Sequence, residues 1–429
     1  MKTLLKGAQV FANKGKGQFV KKDLLIDGDK LSVSSPDEQN SCLYDGLFDF
    51  RDKFIIPGFV DVHVHLREPG FFYKETIKTG TLAGAHGGYT TVCPMPNVKP
   101  APSDFANLKV QLDIIDRDAI IKVIPYGTIT REGDGRSELA DMKGTAPYVI
   151  GFSDDGRGVQ TGELMEEAMK LAKSLDKPIV AHCEDESLLE GGYIHRGQYC
   201  SLHGHKGISS ESEWVQVARD VELAAKTGCK YHVCHISTKE TVDIIRQAKK
   251  SGVDVSCETG PHYLILTDMD IKEEGRFKMN PPLRSMEDRE ALIEGIKDGT
   301  IDMIATDHAP HFKEEKTKGL EKSAFGIVGL ETAFALLNTH LVNKGIIKIE
   351  DLITLMSVNP RKRFGLDGPL SMTEDENLCD ITVLDLGREW TVNSENFMTK
   401  GRATPFDGWT LIGKPVATFV DGRLKFLEL

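Results

Sequence analysis

The chain has 429 residues, 40% of them apolar and 28% charged, and a formal net charge of −12 at neutral pH. That length exceeds one small domain and suits a (β/α) barrel with additions, or two to three smaller domains. The acidic balance argues against nucleic acid or an anionic membrane as the main partner, so a cationic site for an anionic substrate has to be local.

The N-terminus, Met1-Lys-Thr-Leu-Leu-Lys6, turns polar too soon for a signal peptide, and no apolar run approaches the roughly 20 residues that span a bilayer. Eight cysteines (Cys42, Cys93, Cys183, Cys200, Cys229, Cys234, Cys257, Cys379) are scattered without a CxxC pair. They read as reduced, buried small residues of a cytoplasmic protein.

In chain order, residues 1–56 alternate as short strands and turns (Gln9-Val-Phe11, Asp23-Leu-Leu-Ile-Asp27, Lys30-Leu-Ser-Val33) and close at Phe54-Ile-Ile-Pro57-Gly58. From Phe59 onward, strand-like runs at 59–66, 90–95, 120–126, 148–153, 178–183, 230–236, 253–257 and 302–306 alternate with helical patterns. The helices are predicted near 74–86, 104–117, 163–175, 212–227, 238–251, 287–298 and 328–342. Eight runs so separated predict an α/β fold, a TIM-like (β/α)8 barrel over 57–374, with a doubly wound open sheet as the rival. The stretch from 375 returns to short strands and Asp-Gly turns. Neither end has enough strands for a stable unit, so residues 1–56 and 375–429 are expected to meet in one small β-sandwich domain.

The chemistry starts at Asp61-Val-His63-Val-His65-Leu-Arg67, where His63 and His65 share a face at the C-terminal end of the first barrel strand. HxH alone is a weak signal; His203-Gly-His205, in a Gly-rich loop, is read as loop. The case rests on accumulation. His182 ends the fifth strand, His235 the sixth and Asp307 the eighth, each where a barrel delivers side chains to one rim. His232, three residues from His235, is expected on the other side of its strand, and His86, His195 and His340 have no such placement. Four histidines and an aspartate exceed the needs of one zinc and suit two ions sharing a bridging carboxylate. The fourth strand ends Ser153-Asp154-Asp155-Gly156, and alternation lets only one of the two aspartates face inward. Arg67 stands two residues beyond His65, on its face, and Asn97 and Asn280 sit on proline-rich rim loops.

The series HVHLREPG (63–70), PMPNVKP (94–100), GFSDDG (151–156), HCED (182–185), HIST (235–238), ETGPHYL (258–264), NPPLR (280–284), TDHAPH (306–311) and FGIVGLET (325–332) resembles that of the long, class I dihydroorotases of the amidohydrolase superfamily. The resemblance runs from about residue 5 to the C-terminus. It implies a distorted (β/α)8 barrel with two Zn2+ per chain, one held by His63, His65 and Asp307 and the other by His182 and His235. Relatives bridge the ions with a carboxylated lysine or an aspartate. No lysine lies between Val149 and Gly156, so the chain resembles the aspartate type, and the spacing to His182, similar to the family's, implies Asp155 rather than Asp154. The resemblance also implies substrate contacts from His65, Arg67, Asn97, Asn280 and His311, and from the backbone of Phe325 and Gly326.

The implied reaction is the reversible closure of N-carbamoyl-L-aspartate to L-dihydroorotate in pyrimidine biosynthesis, with Asp307 as the catalytic base and then acid. A small-molecule substrate is thus expected, with no nucleic acid and no membrane. The sequence leaves the oligomeric state open, a homodimer being one outcome it allows. The charged stretch 312–323 is read as a mobile rim loop. Two rivals stand beside this reading: a sister cyclic amidohydrolase (allantoinase or dihydropyrimidinase), and a catalytically inactive scaffold.

Overall fold

The strand Phe59–Val64 is buried at every position, as a strand enclosed on both faces must be. It pairs in parallel with Tyr89–Pro94, which pairs with Lys122–Val123. A second parallel series runs Ile179–Ala181, Tyr231–Val233, Val255–Thr259, Met303–Ile304. Single bridges join the two series at Gly127↔Phe152 and Phe152↔Ile179, and close the ring at Val64↔His308. This computed structural model, which describes residues 2–13, 17–34, 44–374 and 377–428, is therefore a TIM-type barrel in a mixed α/β fold.

Helices cross between the strands as the periodicity requires. Ile77–His86, Gly162–Ser174 and Lys239–Lys250 are N-capped by Thr76, Thr161 and Thr238, whose hydroxyls accept the third amide of each helix. The barrel interior is filled by Val60, Val62, Met303 and Ala305 on one side and by Cys93, Met95, Tyr126, Ile150, Val180 and Cys234 on the other. Both groups pack on Phe364 and Leu366.

Two expected elements take other forms. The run 148–153 is not a regular strand: Ala146–Tyr148 is a 3-10 turn, and only the following residues are extended. Ser153 N–H still donates to Gly127 O and Val180 N–H to Phe152 O, both at 2.9 Å, so the ring stays bonded through a minimal fourth strand. Over 328–342, helix is confined to Ala333–Leu337 and a π turn at Asn338–Val342. The first residues stay extended because their amides are used elsewhere: Val328 N–H bonds Ala403 O at 3.0 Å and Gly329 N–H bonds His308 Nδ1 at 3.2 Å.

Strands from both chain ends form one nine-stranded sheet, in which Phe54–Pro57 lies between Lys2–Ala12 and Ile381–Thr391. Phe48 packs edge-on against Phe419 from a strand to which its own is not bonded, so the sheet shares an apolar layer across its faces. Residues 375 and 376, where the second terminal stretch was expected to begin, and Cys42 lie outside the described residues. The other seven cysteines are buried and free. Among the described residues, no helix is long and apolar enough to cross a membrane.

Arg361, only 1% exposed, fastens the last barrel helix to the first strand. Its Nη1 donates to Gly58 O (2.7 Å) and Ser357 Oγ (2.8 Å), and its Nη2 donates to Thr90 Oγ1 (3.0 Å). Burial pulls its pKa down to about 10. Arg361→Met should strand these acceptors and lower stability by about 3 kcal/mol. A urea midpoint within error of the wild type would show that the barrel closes without this tie.

Candidate active site

Each metal-type side chain leaves the barrel at the C-terminal end of a strand. His63 is the penultimate residue of Phe59–Val64 and His65 follows it; His182, His235 and Asp307 stand just past the strands ending at Ala181, Val233 and Ile304. Of seven non-glycine residues with left-handed backbone among those described, three lie here: Arg67 (φ 62°), His235 (φ 30°) and Asp307 (φ 48°). Such conformations cost energy and persist where the surroundings over-determine them, commonly at functional sites.

The six groups converge. His63 Nε2 lies 3.3 Å from Asp155 Oδ1 and 3.6 Å from Asp307 Oδ1. His65 Nε2 lies 3.0 Å from Asp307 Oδ1 and 3.5 Å from Asp155 Oδ2. His182 Nδ1 and His235 Nε2 are 2.9 Å apart, and lie 3.7 and 3.8 Å from Asp155 Oδ1. All six residues are buried. Among the described residues, Asp155 is thus the only carboxylate that reaches all four imidazoles.

Asp154 is turned the other way. It accepts the amides of Ile129 (2.8 Å), Thr130 (3.1 Å) and Gly135 (3.2 Å), and the Thr130 hydroxyl. The electrostatics separate the pair. Burial pushes Asp154 up to about 6, in spite of its hydrogen bonds. Burial acts on Asp155 too, yet His63 and His235 hold it well below the usual carboxylate range. Asp307 is likewise lowered, by His65 and His63 against burial.

The cluster fits divalent metal. His63, Asp155 and His235, and again His63, His65 and Asp307, place their ligand atoms within 4.8 Å of one another. His63 Nε2 and Asp155 Oδ1 are buried and lack a hydrogen-bond partner. Asn97 Oδ1 takes the Nδ1 proton of His65 at 2.9 Å, which leaves the Nε2 lone pair facing Asp307 at 3.0 Å. Two acceptors so close are satisfied by a shared cation, and an imidazole–carboxylate set suits zinc and its neighbours.

Around this cluster stand the polar residues expected at the rim. Arg67 arrives by the left-handed turn after the strand rather than by strand alternation, since regular pairing stops at Val64. It is partly exposed; its Nε donates to Pro310 O at 3.1 Å, and its Nη2 lies 3.3 Å from His311 Nε2. His311 Nε2–H donates to Phe325 O at 2.7 Å, so its Nδ1 accepts from Lys74 Nζ at 3.3 Å. Burial and the neighbouring Arg67, Lys74 and Lys316 push its pKa down to about 2. At Gly326, φ is 128° and a Cβ would meet Ala309 O at 2.8 Å, so only glycine lets this segment lie against the rim. Asn97 bridges His65 and Asp155 (Nδ2 to Oδ2, 3.3 Å), and Asn280 Nδ2 donates to Glu184 Oε1 at 2.9 Å.

Segment 312–323 holds two short helices, Lys313–Lys316 and Gly319–Lys322. Buried Lys316 anchors it by donating to Lys278 O (3.0 Å) and Ala324 O (2.7 Å).

His203, His205, His195, His86 and His340 stay out of the cluster: His205 bonds Tyr193 and Glu273, His195 faces Arg284, and His86 and His340 pack at a tilt against Phe426 and Trp409. His232 is a correction. Expected to face away, it lies beneath the cluster, 3.1 Å from Glu258 Oε2, while Glu258 Oε1 holds His63 Nδ1 at 2.7 Å. Alternation does not carry from 232 to 235, because the strand ends at Val233 and His235 adopts a left-handed turn. Sequence reasoning missed Glu258, Glu184 and Lys74. The available signal for Glu258 was a carboxylate inside an otherwise buried strand, Val255–Thr259.

A TIM-type barrel with four histidines and two aspartates at its C-terminal mouth has close structural counterparts. The L-hydantoinase (dihydropyrimidinase) of Arthrobacter aurescens superposes with a TM-score of 0.85 at 25% identity, over 99% of this chain and 96% of that one. The dihydropyrimidinase of Brevibacillus agri does so at 0.85 and 20%, over 100% and 95%, showing the same fold. The chain is a cyclic amidohydrolase, of a superfamily that is generally metal-dependent.

The Dihydro-orotase-like family profile matches residues 52–241. Dihydroorotases of Fusobacterium nucleatum (49% identity over 426 residues, 99% of this chain and 98% of the relative) and Staphylococcus aureus (47% over 425 residues, 99% of each) match almost end to end. The chain belongs to the dihydroorotase family.

Asp154→Ala should leave the amides of Ile129 and Thr130 unpaired, the Gly135 amide and the Thr130 hydroxyl keeping their second partners, and cost about 2–4 kcal/mol of stability, while Asp154→Asn keeps an acceptor and should cost less. Equal urea midpoints for the two variants would remove the hydrogen-bonding role assigned to this carboxylate.

Proposed function

We propose that this chain is a class I dihydroorotase that binds two zinc ions. One would be held by His63, His65 and Asp307 and the other by His182 and His235, with Asp155 as the carboxylate they would share. Whole-length identity to dihydroorotases supports the activity. The observation that carries the substrate assignment is Arg67. It stands at the mouth of the metal-type cluster with no carboxylate within ion-pair distance among the described residues, and burial lowers its pKa. A guanidinium so held offers a planar fork to an anionic ligand.

Dihydroorotate is a six-membered cyclic imide bearing one carboxylate. When bound, the ions supply Lewis acidity and hydroxide at neutral pH. The chain's own groups do the rest. Arg67, with Asn97 and Asn280, fixes the ring by its carboxylate and polar edge; His311, through Phe325 O, holds the backbone of Phe325 and Gly326 against it. Asp307 takes a proton from the attacking water and returns it to the departing ring nitrogen. In the biosynthetic sense, the ureido nitrogen of N-carbamoyl-L-aspartate bonds to the side-chain carboxyl carbon and water leaves. We also take 57–374 as a catalytic unit and 1–56 with 375–429 as a second, a division the shared terminal sheet supports. The free, buried cysteines suit a cytoplasmic setting.

The hydantoinase-like fold favours one second reading, a dihydropyrimidinase-type substrate without the carboxylate. Arg67→Met should reduce kcat/KM for dihydroorotate by about 2–5 kcal/mol of transition-state stabilisation, at unchanged metal content. Dihydrouracil should be a poor substrate for wild type and variant alike. Wild-type turnover of dihydrouracil as fast as that of dihydroorotate would replace the first reading with the second.

Elemental analysis should find about two zinc ions per chain, and chelation should abolish activity. Asp155→Asn should lose most metal and turnover, and full activity in chelator would remove the metal centre altogether.

A further inference from the structure

The strand Val255–Thr259 carries Glu258 into the floor beneath the histidine cluster, where it is 1% exposed. Its Oε1 lies 2.7 Å from His63 Nδ1 and 3.4 Å from the His235 amide, and its Oε2 lies 3.1 Å from His232 Nε2. The other nitrogen of His232 is 2.7 Å from Ser256 Oγ. His63, His232, Ser256 and Glu258 are all buried.

An ionised carboxylate only accepts, so the proton in each of its two imidazole contacts belongs to the ring. His63 therefore carries its proton on Nδ1 and presents the Nε2 lone pair to Asp155 and Asp307. His232 carries its proton on Nε2 and accepts from the Ser256 hydroxyl on Nδ1. One buried carboxylate thus sets two tautomers. Glu258, His63 and Cys234 also lie close enough together to be considered as metal ligands themselves. The hydrogen-bond distance to Nδ1 and the engagement of the second oxygen on His232 make Glu258 a support for His63 instead. The opposite histidine has a looser arrangement, since Glu184 Oε2 stands 3.6 Å from His182 Nε2 and its other oxygen holds Asn280.

We infer that Glu258 is the positioning residue of the metal centre, fixing through His63 the nitrogen, ring plane and basicity presented to the ion shared with His65 and Asp307. This role rests on the metal-centre reading above. Its charge matters separately from its shape: a carboxylate behind a ligating imidazole strengthens that nitrogen as a donor, and losing such a partner commonly weakens metal binding 10–100-fold.

Glu258→Gln isolates the charge. Its amide oxygen accepts from His63 Nδ1–H, its NH2 donates to His232 Nε2, and His232 then donates from Nδ1 to the Ser256 hydroxyl, so every hydrogen bond survives. The experiment titrates metal-free wild type and Glu258→Gln with Zn2+ against a chromophoric chelator and with Co2+ for the visible spectrum, and melts both metal-free proteins. The expected result is a roughly 10–100-fold loss of affinity for one of the two ions and an altered cobalt spectrum, with a melting temperature near that of wild type. Glu258→Leu, if it folds, should lose that ion more completely. Unchanged affinity and cobalt spectrum in Glu258→Gln overturn the role, as does a variant that is only less stable. Wild type that takes up no metal overturns the metal-centre reading itself, and this role falls with it.

Discussion

Four imidazoles and two carboxylates cannot be brought within a few ångströms of each other in a dry barrel mouth unless each polar atom is answered. An unpaired charge there would cost several kcal/mol. The structure answers them in layers. Asp155 lies among the four imidazoles, Asn97 and Glu258 fix the outward nitrogens of His65 and His63, and His232 and Ser256 complete the pairing of Glu258. The nitrogens left facing inward define where a cation is stabilised.

The fold is shaped around that requirement. Several barrel strands are brief, four of the seven bonded ones among the described residues having only two or three residues, and the chain departs from them at once. Left-handed backbone at Arg67, His235 and Asp307 is what aims side chains that regular alternation would misplace. That strain needs a rigid surround. Arg361 beneath the first strand and the apolar fill around Phe364 and Leu366 supply it from the opposite end of the barrel.

This division explains what could be read from the sequence. The HxH pair, and His182, His235 and Asp307 at the ends of apolar runs, were legible because buried strands have a clear signature and barrels deliver function at one rim. The barrel's alternation and the pairing of the two chain ends were legible for the same reason. The turn from 148 and the π turn at Asn338–Val342 were not, since they depend on which distant carbonyl or ring nitrogen claims an amide. His232 was misjudged because alternation was carried across a left-handed residue that nothing in the sequence marks. Glu258 passed unread because its meaning lies in a partner 195 positions away, His63, and propensity knows nothing of such pairs.

The same barrel serves a hydantoinase, so the fold alone does not choose the substrate, and the rim is where a difference is to be sought. Here the rim carries Arg67, Lys74 and, deeper, Lys316, in a chain whose net charge is −12. Glu315 pairs with Lys74 at 2.9 Å and the Lys316 ammonium is spent on backbone carbonyls, which leaves Arg67 without an anion among the described residues. Burial, reinforced by the crowding of cations, keeps His311 neutral, and a neutral His311 can donate to Phe325 O while accepting from Lys74. One local excess of positive charge therefore does two things. It favours the neutral His311 that holds the Phe325–Gly326 backbone in place, and it leaves the Arg67 guanidinium fork open beside the metal-type cluster, the fork proposed above to receive the substrate carboxylate.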